Sequence, residues 1–166
     1  MKMVKIGLLS DTHAHIDDSI INFLEPVDQI WHAGDVGNVK VLEQLQFLKP
    51  VTAVYGNIDD HLLRSELPEI NTFQVEGVRI VMAHIGGYPG NYAPGIKKLL
   101  LEYKPQLFVS GHSHILKVQF DKQLQCLHMN PGAAGISGFH QFRTMLRFVI
   151  DKTQIKDLEV WELPRK

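Results

Sequence analysis

The sequence predicts an α/β fold with a mixed sheet system and a β-rich C-terminal half, in a single domain over residues 1–166. Three observations lead there. Short β-branched segments alternate with amphipathic ones through the first third of the chain, the pattern of parallel strands joined by right-handed helical crossovers. From Asn71 the apolar period becomes twofold. A length of 166 residues, 45% hydrophobic and 21% charged, supplies one sizeable core without staples.

The elements follow in order. The start, Met1 to Leu9, reads as a buried first strand; Lys5 and the early end at Ser10-Asp11 set it apart from a signal peptide. Ile20, Ile21, Phe23 and Leu24 share one helical face, with Asp17 or Ser19 as the cap and Pro26 as the stop. Gln29 to His32 is a second strand, Val39, Leu42, Leu45, Phe47 and Leu48 mark a second helix, and Val51 to Tyr55 is a third strand. Thr72–Val75 and Val78–Ala83 flank Glu76-Gly77 as a hairpin. Ile96, Leu99, Leu100 and Tyr103 mark a third helix that ends before Pro105, and Leu107–Val109 is a short buried strand. Two further hairpins turn at Asp121-Lys122 and at Asp151-Lys152.

Composition removes several classes of function. Cys126 is alone, so the chain is neither a disulfide scaffold nor a Cys-based zinc or iron-sulfur protein, and a reducing cytoplasm suits it. Seventeen Lys and Arg against eighteen Asp and Glu give a net charge of -1, which supplies no overall basic surface for long nucleic acid or an anionic membrane. No apolar run approaches the ~20 residues that span a bilayer. Nine histidines stand out instead.

The chemically versatile residues follow directly on the strands: Asp11-Thr12-His13, Gly34-Asp35, Gly56-Asn57-Ile58-Asp59, His84, and Gly111-His112-Ser113-His114. In α/β sheets ligands bind beyond the carboxyl ends of the strands, so these clusters are expected to converge. Asp11, His13, Asp35, Asn57, His84, His112 and His114 offer hard oxygens and imidazole nitrogens without thiolate, a set suited to Zn, Mn, Fe, Ni or Co. Seven ligands exceed one ion's needs. Two ions sharing a carboxylate use them all, the arrangement that activates water for attack at phosphorus. Gly34, Gly56 and Gly111 each precede a candidate ligand, where a sharp turn would aim the side chain into the crevice.

This ordered set resembles the five motifs of the calcineurin-like metallophosphoesterases. The compact size and Asn130-Pro131-Gly132-Ala133 resemble their small bacterial and archaeal phosphodiesterase branch, which includes the retromer scaffold subunit. The resemblance implies a four-layer α/β/β/α sandwich of two mixed sheets. It implies that Asp11, His13, Asp35 and His114 hold one divalent ion and Asp35, Asn57, His84 and His112 the other, with Asp35 bridging. Manganese heads the expected metals, with nickel, cobalt, zinc or iron as alternatives. A water activated between the ions would attack a small phosphate ester, most readily a diester, with Asn57 helping to offset phosphoryl charge. The alternative function is a protein-interaction scaffold on the same fold, and the β-rich half offers a surface for a homodimer.

Departures from the family pattern define what remains open. Ile58 stands where many relatives carry a histidine that protonates the leaving group, so His15 and His61 become the candidates for that role. Asp59 either orients the ligand histidines or completes its turn. His84-Ile85-Gly86 replaces His-Gly-His, and the glycine-rich loop that follows carries Tyr88 and Tyr92, either a pocket wall that stacks on an aromatic group or a plain surface loop. His32 is a candidate support beside Gly34-Asp35, His140 and Arg143 are possible phosphate contacts, and His128 has no expected role.

Overall fold

The computed structural model describes residues 2–166. Two five-stranded sheets pack face to face. The first runs in the order β12-β11-β1-β2-β3, from Gln154–Pro164 (β12), Phe142–Asp151 (β11), Val4–Leu9 (β1), Gln29–His32 (β2) and Val51–Ala53 (β3). The second is β4-β5-β8-β10-β9, from Ile70–Val75 (β4), Val78–Ala83 (β5), Leu107–Val109 (β8), Cys126–Pro131 (β10) and Leu116–Asp121 (β9). Both sheets are mixed. β1, β2 and β3 run parallel, as do β5, β8 and β10, while β11 and β9 pair antiparallel to their neighbours.

Side-chain alternation assigns the faces of β1. Ile6 and Leu8 join Trp31, Ile80, Met82, Val109, Leu146 and Phe148 in the core between the sheets. Leu9 points the other way, into the cluster under the helices Asp18–Leu24 (α1), Val39–Leu48 (α2) and His61–Glu66 (α3), with Ile20, Leu24, Leu42, Leu45 and Leu63. The outer face of the second sheet is covered by Ile96–Tyr103 (α4), whose Ile96 and Leu100 meet Val81, Ala83 and Phe108. Helix, sheet, sheet, helix: the four layers match the expected architecture. The central core is locked by aromatic edges. Trp31 meets Phe73 at 5.1 Å and Phe148 at 5.6 Å, both edge to face.

Local chemistry explains the boundaries. Asp17 rather than Ser19 caps α1, accepting from the Ile20 amide at 3.0 Å. Asn38 and Asp60 cap α2 and α3 in the same way. β3 is shorter than expected because Tyr55 turns its amide to the Pro68 carbonyl. Three short elements carry no signal in the sequence. α3 has six residues, too few for a helical period to emerge, and the two-residue strands Gly87–Tyr88 (β6) and Asn91–Tyr92 (β7) are only a bent loop in sequence terms. No helix is long and apolar enough to cross a membrane.

Candidate metal centre

The parallel strands end on one rim, and the loops beyond them are stitched across the sandwich. The Gly111 amide donates to the His84 carbonyl at 3.0 Å, Asp11 N–H to the Gly34 carbonyl at 2.9 Å, and His13 N–H to the Asp35 carbonyl at 3.0 Å. The result is two adjoining triads, Asp11/His13/His114 and Asp35/His84/His112, each with its ligand atoms within 4.8 Å of one another. Asn57 joins the second through its Oδ1, 3.0 Å from His112 Nδ1. All seven candidate ligands meet at this rim.

The turns that aim these side chains lie in the ligands themselves. Asp11, His13, Asp35, His112 and His114 all have left-handed backbones, with φ between 46° and 73°. An L-residue pays about 1–2 kcal/mol for that conformation, and such strain gathers where side-chain aim matters. The glycines divide. Gly34 does take a positive φ of 102°. Gly56 and Gly111 are required by proximity: a Cβ on Gly56 would lie 2.0 Å from Asp35 Oδ1, and one on Gly111 would lie 2.2 Å from Ser10 Oγ.

The hydrogen bonds leave particular lone pairs free. Asp11 spends Oδ2 on the Ser10 hydroxyl (2.7 Å) and the His112 amide (3.1 Å), and its buried Oδ1 has no hydrogen-bond partner. Asp35 spends Oδ1 on the Ile58 amide, leaving Oδ2 3.4 Å from His13 Nε2 and 3.1 Å from His84 Nε2. His84 donates from Nδ1 to the Ala33 carbonyl at 2.8 Å, so its Nε2 faces Asp35 as an acceptor unless protonated. His13 Nε2 and His84 Nε2 are likewise buried without hydrogen-bond partners. Acceptor facing acceptor is stable only with a cation between them, a proton or a metal ion. The donor set fits divalent ions of borderline hardness.

Protons show the same demand. Asp11 and Asp35 hold the His13 imidazole up at about 9. Burial alone would lower His84, yet Asp35 and Asp11 outweigh it and raise the group. Burial would raise both carboxyls, but the facing histidines, His114 and His13 for Asp11 and His13 and His84 for Asp35, hold them well below the usual carboxylate range.

Support comes from Asp59 and His32. Asp59 touches none of the ligand histidines: its Oδ2 accepts from the Gly56 (2.8 Å) and Val36 (3.2 Å) amides and its Oδ1 from Gly37 (2.8 Å), so it ties the Asp35 loop to the Asn57 loop. His32 is fully buried. Its Nδ1 accepts from the Gly34 amide, and its Nε2 meets the Thr12 hydroxyl, which donates onward to the Val36 carbonyl. Burial pushes it down to about 4, so it is neutral and holds the backbone on both sides of the cluster.

His15 and His61 are not joined to the cluster. His15 pairs with Asp17 at 2.9 Å, His61 is exposed at the start of α3, and neither side chain hydrogen-bonds a candidate ligand. Arg143 is no phosphate contact either; it is buried, bonded to the Ala134 carbonyl and paired with Asp17 at 2.8 Å. His140 has the part that sequence reading missed. Its Nε2–H donates to the Gly135 carbonyl at 2.9 Å, so its Nδ1 accepts from His114 Nδ1–H at 3.3 Å, leaving His114 Nε2 bare and 3.2 Å from Asp11 Oδ1. Gly138 makes room for that pair, since a Cβ there would lie 2.5 Å from His114 Nδ1.

Residues 4–153 match the family model of the calcineurin-like phosphoesterase superfamily domain. The chain belongs to that superfamily. A probable metallophosphoesterase of Methanothermobacter thermautotrophicus is 32% identical over 134 residues, covering 77% of this chain and 76% of that protein. Among solved structures, a predicted phosphoesterase from Streptococcus pneumoniae superposes with a TM-score of 0.70 at 22% identity, over 99% of this chain and 91% of that one. Wild-type Vps29 from Entamoeba histolytica, solved with Zn2+, gives a TM-score of 0.75 at 14% identity, over 98% and 99%. These two likenesses concern the fold. As a calcineurin-like phosphoesterase, the chain carries its candidate ligands where the two sheets of that fold meet.

Proposed function

We propose that the chain is a binuclear metal-dependent phosphodiesterase acting on small esters in the cytoplasm. The observation that carries the reading is the position of Asp35 Oδ2, within 3.4 Å of His13 in one triad and 3.1 Å of His84 in the other, where a single carboxylate serves both. Asp11, His13, Asp35 and His114 would hold one ion, and Asp35, Asn57, His84 and His112 the other. Bound there, a pair of divalent ions, manganese foremost, supplies Lewis acidity toward a phosphoryl group and lowers the pKa of water.

The chain's own residues set the preference for diesters. The nearest arginines are engaged elsewhere: Arg64 bonds the Asp59 and Asn57 carbonyls, and Arg143 bonds Ala134 and Asp17. With both guanidinium groups bonded to the protein, neither arginine is fully free to neutralise the second charge of a monoester. With Ile58 in place of a proton donor, His15 paired with Asp17 and His61 exposed, an ester whose alcohol leaves as a weak base is favoured.

A scaffold role, as the likeness to Vps29 raises, is the second reading. Hydrolysis is preferred because every ligand position is filled. The test is turnover of bis-p-nitrophenyl phosphate and p-nitrophenyl phosphate after loading with Mn2+, Ni2+, Co2+ or Zn2+. The diester should be the better substrate, and Asp35→Asn should abolish turnover while lowering the bound metal from two ions. Turnover of neither ester with two ions bound, shown by elemental analysis, would transfer the chain to the scaffold reading.

A further inference from the structure

Three cavities border the metal centre, and they differ in chemistry. One of 290 Å³ beside Asn57 and His84 is walled by the charged Arg64 and Glu69. One of 460 Å³ beside His114 lies under the fully exposed Phe139. The third, 500 Å³, shares His112 with the second triad and is walled by Ile85, Ile115 and the β6–β7 hairpin that carries Tyr88. That volume is in the range of small-molecule pockets.

Two features of the third cavity point to its occupant. Lys117, which also lines the cavity, places its Nζ 4.3 Å from the centroid of the half-exposed Tyr88 ring, an aromatic surface beside a positive charge. In the floor, buried His128 meets the Ser110 hydroxyl through Nε2 at 2.9 Å, and that hydroxyl lies 3.4 Å from the Gly87 carbonyl. The other ring nitrogen, Nδ1, is a buried polar atom without a hydrogen-bond partner. Burial pushes this imidazole down to about 4, so the ring is neutral near pH 7.

We infer that this cavity holds one ester substituent of the substrate, a flat heteroaromatic ring, as in a nucleobase. The ring stacks on Tyr88 between Ile85 and Ile115, above the buried His128. The wall shared with His112 joins this cavity to the site where the phosphate is handled. The inference rests on the phosphodiesterase reading and gives it a substrate class.

Two measurements test it. The first compares metal-loaded protein on adenosine 5′-p-nitrophenyl phosphate and methyl p-nitrophenyl phosphate, which share a leaving group. The nucleoside ester should lead in kcat/KM by about tenfold or more, the effect of one base–aromatic stack. Tyr88→Ala should bring that ratio close to one, and Tyr88→Phe should restore it. The second is an amide NMR titration of the metal-free protein with adenosine, whose shifts should gather at Tyr88, Ser113, Lys117 and His128. Turnover of both esters at equal rates, with no shifts at those amides, would overturn the inference and leave the phosphodiesterase reading intact. Turnover of neither ester would defeat that reading, and the adenosine titration alone would then decide the cavity.

Discussion

Asp59 offers a perturbation whose size can be worked from its contacts. The side chain is 4% exposed, and its carboxylate accepts three backbone N–H groups, two on Oδ2 and one on Oδ1. In Asp59→Ala all three amides lose their partner. Those of Val36 and Gly56 are buried, and that of Gly37 is partly reached by water. At roughly 1–3 kcal/mol for each buried orphan donor, and less for the wetted one, the loss is about 3–5 kcal/mol. Asp59→Asn is milder. With its amide oxygen in the Oδ2 place it keeps Val36 and Gly56, while its NH2 faces the Gly37 amide donor to donor, at about 1.5–3 kcal/mol. Urea unfolding followed by tryptophan fluorescence measures both variants, at equal slope, as midpoint shifts. Because Asp59 joins the Asp35 and Asn57 loops, both variants should also bind Mn2+ more weakly, in the same order. Equal costs for Asn and Ala, or an Ala cost under about 1 kcal/mol, would refute the stapling role.

Further expectations concern the same rim. Gly56→Ala drives a methyl into Asp35 Oδ1 and the Asp35 amide, which is 2.4 Å from the built Cβ, and should cost about 1–3 kcal/mol of stability with loss of one bound ion, read by elemental analysis. His140→Phe keeps the ring but removes the acceptor for His114 Nδ1–H; Mn2+ affinity by calorimetry should fall about 10–100-fold with the fold intact, and an unchanged affinity would remove His140 from the centre. The metal-free protein should lose stability as pH rises. His13, at about 9 when folded against 6.5 as its ordinary value, contributes fully below pH 6.5, and its contribution disappears as pH passes through 9. Its Tm should fall across that window, whereas protein saturated with Mn2+, in which a metal replaces the proton, should show no such fall through that group.

The layers and the convergence of the candidate ligands were legible because both follow short-range rules. Burial on both faces marks β1, and a polar cluster at the end of each parallel strand announces a shared rim. What escaped depends on chain segments distant in sequence. His140 reaches His114 across 26 positions, through a loop with no period. Asp59 sits in a turn, and nothing local says that its carboxylate crosses to Val36 and Gly37 rather than to a histidine. The glycines misled in a more instructive way. A Gly-Asp or Gly-His step reads as a turn at glycine, yet Gly56 and Gly111 have ordinary backbones and exist to admit a neighbour, while the aspartates and histidines make the turn. α3 was missed because Leu63 is its one buried side chain, too little for a pattern.

Five of the candidate ligands bend left-handed at positions where glycine would rest without strain. Glycine at any of them would ease the backbone, but at Asp11 or Asp35 it would orphan the Ser10 hydroxyl and the His112 and Ile58 amides, and at His13 it would remove an imidazolium that both carboxylates hold. A thermostable variant of this chain is therefore most readily found at His112 or His114, and its metal content should be measured first.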